Sequence, residues 1–142
     1  MKPTERIKEA QRVLEAEANA IFASSKKIGL NFSKCVDLVI DCKGTVVISG
    51  IGKSGNIGRK ITSTLASLGT PSIFLHTSDA FHGDLGILRK NDLLILISNS
   101  GETDELVRLL KYANKNGIKS IAITGKIDST INKKATCTLN AV

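Results

Sequence analysis

A chain of 142 residues, 42% apolar and 23% charged, has room for one soluble globular domain with a moderate core. No apolar run approaches the ~20 residues of a membrane span, and the opening MKPTERIKEA is not a signal peptide. The net charge is +7, but the lysines are scattered, and a chain with no Trp and one Tyr has little on which to stack bases. The charge suits attraction of small anions; neither nucleic acid nor a membrane is the expected partner.

In chain order, Thr4 to Ser24 carries Ile7, Ala10, Leu14, Ala18 and Ile21 at helical spacing among Glu and Ala, which predicts a long helix. Asn31 can cap a second helix with Phe32, Cys35, Val36 and Val39 on one face and Gly44 as its stop. Thr45 to Ser49 reads as the first strand. It runs into Gly50-Ile51-Gly52-Lys53-Ser54-Gly55 and a helix with Ile57, Ile61, Leu65 and Leu68 facing inward, ended by Gly69 and Pro71. Strand two is Ser72 to His76, and Thr77 to Gly86 is a loop or short helix. Strand three, Leu93 to Ile97, leads through Ser98-Asn99-Ser100-Gly101-Glu102-Thr103 into a helix bearing Leu106, Leu109, Leu110 and Ala113 and closing at Gly117. Strand four is Ser120 to Thr124, a short helix covers Ser129 to Lys134, and strand five is Thr136 to Asn140.

Uniformly apolar strands alternating with helices imply a parallel sheet covered on both faces, with right-handed crossovers. The expected fold is therefore α/β: a three-layer αβα, doubly wound sheet of five parallel strands, for which the family resemblance described below implies the order 2-1-3-4-5. It forms a single domain over 1–142, with amino-terminal helices at 4–43 and the α/β core at 45–142. The cysteines Cys35, Cys42 and Cys137 are odd in number and lack metal-ligand spacing. Two of them, seven apart on one predicted helix, are expected to face the core, which suits a reducing cytoplasm.

In such sheets ligands sit beyond the carboxyl ends of the strands, and three polar segments fall on that edge. Gly50 to Gly55 spells G-x-G-x-x-G, a dinucleotide fingerprint, but the ribose-holding acid would fall around His76 or Thr77, where there is no carboxylate, and Asp79 comes later, in the loop. A phosphate-binding Walker loop fails as well, because Val47 occupies the place of its first glycine. What remains is a turn through Gly52 that brings Lys53 and Ser54 to the mouth of a site, or leaves Lys53 as a solvated lysine. The second segment, Ser78 to Gly86, holds His82, the residue type best suited to move protons near neutrality; a structural histidine is the alternative.

The third segment, Ser98 to Thr103, sets three hydroxyls, the Asn99 amide and a glycine at the start of a helix, where unpaired N–H groups and the helix dipole attract anions. Ser98, Asn99, Ser100 and Thr103 are candidate phosphate contacts. Glu105, one helical turn past Gly101, either reaches a ligand or solvates the helix end. The competing explanation is a plain helix cap at Ser100, with Glu102 and Asp104 in the first turn.

Taken together, VVISGIGKSGNIGRKI, TPSIFLHTSDAFHGDLG, LLILISNSGETDEL and IAITG, in this order and spacing, resemble the SIS (sugar isomerase) domain, specifically its arabinose-5-phosphate isomerase branch. The combination GKSG, HGDLG and SNSGE(S/T)xE carries the resemblance, which covers the chain from about Thr4 to Val142. It implies interconversion of D-ribulose 5-phosphate and D-arabinose 5-phosphate, feeding the Kdo sugar of lipopolysaccharide or capsule. It also implies a homo-oligomer, dimer or tetramer, in the cytoplasm, and neither metal nor redox cofactor.

By that resemblance Ser98, Ser100 and Thr103 hold the phosphate and Ser54 helps to place the sugar. Lys53, His82 and Glu105 match polar active-site positions, with Glu105 or His82 as acid/base and Lys53 stabilising an oxyanion. The family pattern has Glu where this chain has Asp79. Family members continue with a KEACPLGLAPTSST-type segment and an SHPGG-type segment that supply a further Glu and His, and many carry paired CBS domains; these 142 residues contain none of them. A non-catalytic sugar-phosphate-binding module of the same fold is the alternative function.

Overall fold

The computed structural model describes residues 2–81 and 84–141. Five parallel strands form one sheet in the order β2-β1-β3-β4-β5: β1 (Val46–Gly50), β2 (Ser72–Phe74), β3 (Leu93–Ser98), β4 (Lys119–Thr124) and β5 (Cys137–Asn140). The central strands are buried along nearly their whole length, which is why they read as continuous apolar runs instead of alternating ones.

Alternation persists underneath that run, because successive side chains still point to opposite faces. Val47, Leu94, Leu96 and Ala122 face one layer, made by α4 (Thr77–Phe81), α5 (Asp104–Lys115) and α6 (Thr130–Lys134). Here Leu106, Leu109, Leu110 and Ala113 of α5 and Ile131 of α6 complete the core at the expected helical spacing. Val46, Ile48, Leu93, Ile95, Ile97 and Ile121 face the other layer, α2 (Leu30–Ile40) and α3 (Lys53–Ser67). A 3-10 turn, Asp84–Ile87, connects towards β3.

The second layer departs from the sequence-based expectation. Ile57 on α3 and Leu68 at its C-cap point to solvent, 56% and 77% exposed, and the face on the sheet runs through Gly55, Gly58, Ile61 and Leu65. A Cβ on Gly58 would stand 2.9 Å from the Phe74 ring and 3.2 Å from Ile48, and one on Gly55 would stand 2.7 Å from the carbonyl oxygen of Gly50. The helix thus lies against the strands through glycines, a contact that apolar periodicity cannot reveal.

On α2 the N-cap is Gly29, not Asn31, and the last helical residue is Ile40, so Gly44 does not stop it. Gly44 instead sits where any Cβ would meet the Asp92 carboxylate, which accepts the N–H groups of Thr45 (2.8 Å) and Arg89 (2.7 Å). Of the expected inner face, Cys35 is buried and Val39 half-buried, whereas Phe32 and Val36 are exposed. The first helix, α1 (Pro3–Ser25), lies outside the sheet, and every one of its residues is exposed, including Ile7, Leu14 and Ile21.

Cys42 lies beyond the end of α2, half-buried, with its thiol against the carbonyl oxygen of Asn91 (3.6 Å). Cys35 and Cys137 meet where α2 crosses β5. Burial, then the hydrogen bond and charge of the Cys137 thiol, pushes Cys35 up to about 12. Because this folded-state value lies above the ordinary 9.0, the stability Cys35 contributes is whole below pH 9 and is lost as pH rises towards about 12. Labelling of the native protein with a maleimide at pH 8, followed by peptide mapping, is expected to modify Cys42 well before Cys35 or Cys137. Equal labelling of all three would contradict the packing of α2 on β5.

Candidate active site

Because β1 and β3 pair with Gly50 opposite Ile97, the segments leaving their carboxyl ends emerge side by side, one strand spacing apart. From β1 the chain turns through Ile51 and the N-cap Gly52 into α3, whose first residues are Lys53, exposed, and Ser54, half-buried. Gly52 supplies no side chain to that helix start, so Lys53 and Ser54 occupy the entrance. From β3 the chain passes through Ser98 to Thr103 into α5, with Thr103 as the N-cap and Glu105 exposed in the first turn.

The β3–α5 loop is folded on itself by its own hydroxyls. Ser98, only 3% exposed, accepts the N–H of Gly101 (3.0 Å) and shares a hydrogen bond with Thr103 Oγ1 (3.1 Å). Ser100 Oγ accepts the N–H of Glu102 (3.2 Å), which leaves its hydroxyl proton to donate outward. The simple helix cap is therefore not what forms: Ser100 lies three residues before the N-cap, and Thr103 caps with no side-chain bond to the helix. The first N–H groups of α5 and the positive end of its dipole face the same edge. Asn99 is exposed at the tip.

A second strand end holds this loop from behind, and it escaped the sequence analysis. Asn99 O accepts the N–H of Gly125 (3.0 Å), Gly101 O accepts that of Ile131 (3.1 Å), and Glu102 Oε1 accepts that of Thr130 (2.7 Å). Gly101 has φ +63° and is buried where a Cβ would run into the Ser129 side chain. Ser129 itself donates to Lys126 O (2.8 Å) and accepts from Asn132 N (3.3 Å) as the cap of α6. Thr130 holds the Glu102 carboxyl below the usual carboxylate range, with Lys133 and Lys126 adding to the effect. The signal for this brace in the sequence is Gly101, a glycine inside the hydroxyl-bearing Ser98–Thr103 loop.

The structure thus brings Gly52, Lys53 and Ser54 to one edge with Ser98, Asn99, Ser100, Thr103 and Glu105. His82 lies outside the described residues. Upstream of it, His76 Nδ1 is 2.7 Å from Ser78 Oγ, which donates to Asp79 Oδ1 (3.0 Å). Among the described residues, no three of His, Cys, Asp and Glu cluster so as to hold a metal ion.

Fold and edge define a class: a doubly wound α/β domain whose ligand edge combines a lysine-bearing glycine turn with a hydroxyl-lined helix start. The sequence pattern of the SIS domain matches residues 39–142, and the chain belongs to that family. It is 46% identical over 134 residues to arabinose 5-phosphate isomerase KpsF of Escherichia coli O6:H1 and 44% identical over 135 residues to arabinose 5-phosphate isomerase KdsD of Pseudomonas aeruginosa. These matches take in 94% and 95% of this chain but 41% of each relative, so the chain spans about two fifths of their length. Among solved structures, an E. coli CFT073 protein in complex with arabinose 5-phosphate superposes with a TM-score of 0.93 at 36% identity, covering 99% of this chain and 75% of that one.

Proposed function

We propose that this chain forms the sugar-phosphate site of an aldose–ketose isomerase that interconverts D-ribulose 5-phosphate and D-arabinose 5-phosphate. The observation that carries the proposal is the self-braced Ser98–Thr103 loop at the start of α5, beside Lys53 and Ser54 on the adjoining strand end. Ser100, Thr103 and the first turn of α5 bind the phosphate dianion through neutral donors, and Ser98 acts mainly as the loop's internal brace. Asn99, Gly52 and Ser54 bound the sugar.

The reaction opens the ring of the aldose and then moves one proton between C1 and C2 through an enediolate. In the direction of the aldose, a base removes a proton from C1 of the ketose. The electron pair moves into the C1–C2 bond and the C2 carbonyl oxygen becomes the oxyanion; the O1 hydroxyl proton then passes to O2, and as C1 becomes the aldehyde carbonyl the base returns a proton to C2. Glu105 or His82 serves as the acid/base, and the Lys53 ammonium stabilises the oxyanion. The isomerase role belongs with Kdo supply for lipopolysaccharide or capsule, in the cytoplasm. The apolar positions exposed along α1 favour a homo-oligomer, dimer or tetramer. No helix among the described residues is long and apolar enough to cross a membrane.

The test is incubation with D-ribulose 5-phosphate in deuterated water, with NMR of any arabinose 5-phosphate formed. Deuterium at C2 is the expected result. Tight binding of the sugar phosphate without exchange would replace the isomerase by a binding module, and absence of binding would dismiss the site.

A further inference from the structure

We propose that Glu102 is a positioning residue: through its hydrogen bond to Thr130 it locks the Ser98–Thr103 loop in the shape that binds the phosphate group. The inference rests on the phosphate site proposed above and adds to it the device that sets its geometry. Glu102 Oε1 lies 2.7 Å from the backbone nitrogen of Thr130, the first residue of α6, and accepts its N–H. The backbone N–H of Glu102 meanwhile bonds Ser100 Oγ, the side chain with a free proton to give a ligand. One residue therefore ties the loop's donor hydroxyl on one side to α6 on the other. The bond spans 28 positions in sequence and is the side-chain link between two strand-end segments that the backbone bonds at Asn99–Gly125 and Gly101–Ile131 also hold together.

Electrostatics makes the inference sharp. Glu102 carries a negative charge within the loop proposed to bind a dianion, so its charge alone weakens binding, and its removal should tighten binding. A positioning role predicts the reverse. The bond to Thr130, together with Lys126 and Lys133, directs and offsets that charge on the α6 side.

The experiment titrates inorganic phosphate into the isotope-labelled protein and follows backbone amide shifts. Substitution Glu102→Ala is expected to weaken phosphate binding about tenfold, the cost of losing one charge-assisted bond that orders the loop. Substitution Glu102→Gln keeps an acceptor oxygen at the same reach and removes the charge, so binding equals or exceeds that of the unsubstituted protein. Thr130→Pro removes the N–H donor from the other side. Proline suits this first helical position, and Ser129 before it already has φ −70° and ψ 157°. Thr130→Pro should match Glu102→Ala, and the double variant should be no worse than either single one, since all break one bond.

Tighter or unchanged binding in Glu102→Ala, equal loss in Glu102→Gln, or additive losses in the double variant would each overturn the inference while leaving the phosphate site in place. No phosphate binding by the unsubstituted protein would overturn the site, and the inference with it.

Discussion

Lys53→Met and Glu105→Gln should each lower kcat for pentose 5-phosphate isomerisation by about 10²–10⁴-fold while changing sugar-phosphate affinity far less. The two residues start the helices that follow β1 and β3, on neighbouring strand ends, and both are solvent-exposed at the edge where the loop hydroxyls gather. Nothing in the fold requires either of them: neither fills the core or caps its helix. A group used mainly when the enediolate charge develops affects the transition state more than the ground state, and its loss appears in kcat. Steady-state kinetics together with calorimetric binding separates the two effects. A variant that loses affinity and kcat in the same proportion would make that residue a substrate-binding group. A variant with unchanged kcat would return Lys53 or Glu105 to a solvated surface role.

The second large effect is expected at Gly101. An alanine there is forced to φ near +63° and drives its methyl into the Ser129 side chain, which is buried and bonded on both sides. The left-handed backbone costs about 1–2 kcal/mol, and displacing a packed neighbour adds about 1–3. The total, about 2–5 kcal/mol, corresponds to a fall in Tm of roughly 7–17 °C for a chain of this size. The loop carbonyls that meet Gly125 and Ile131 would shift as well, so sugar-phosphate binding should be lost along with stability.

Gly117→Ala is the control. Gly117 has φ +67° but no atom within 4 Å of its would-be Cβ, so only the backbone strain applies and binding is retained. If thermal melts give equal losses for Gly101→Ala and Gly117→Ala, the Ser129 contact contributes nothing to the loop.

The brace on Gly101 also explains why the hexapeptide looked like an ordinary helix cap from sequence alone. Local chemistry, a Ser-rich turn followed by acidic residues, is shared by caps and by anion loops. What separates them here is that Glu102 bonds Thr130, which is 28 residues away, and so does not join the first turn of α5. Thr103 consequently becomes the N-cap and the helix begins at Asp104.

Sequence by itself determined the architecture, because that information is local and periodic. Five apolar runs, punctuated by glycines and alternating with amphipathic helices, permit little besides a parallel doubly wound sheet, and the resemblance to the SIS domain adds the strand order 2-1-3-4-5 that the structure has. It also placed Lys53, Ser54 and the Ser98–Thr103 loop on one edge, since strands that run parallel send all their carboxyl ends the same way. Tertiary structure alone decided the rest. Gly55 and Gly58 turned α3 so that Ile57 and Leu68 face solvent, because a helix close to a sheet needs absent side chains, which hydropathy does not register. It also left every residue of α1 exposed despite a regular apolar stripe, since periodicity names a face but not what covers it. And it joined Glu102 and Ser129 to the loop they shape: hydrogen bonds and close contacts across nearly 30 residues depend on where two strand ends come to lie, and no spacing rule along the chain encodes that.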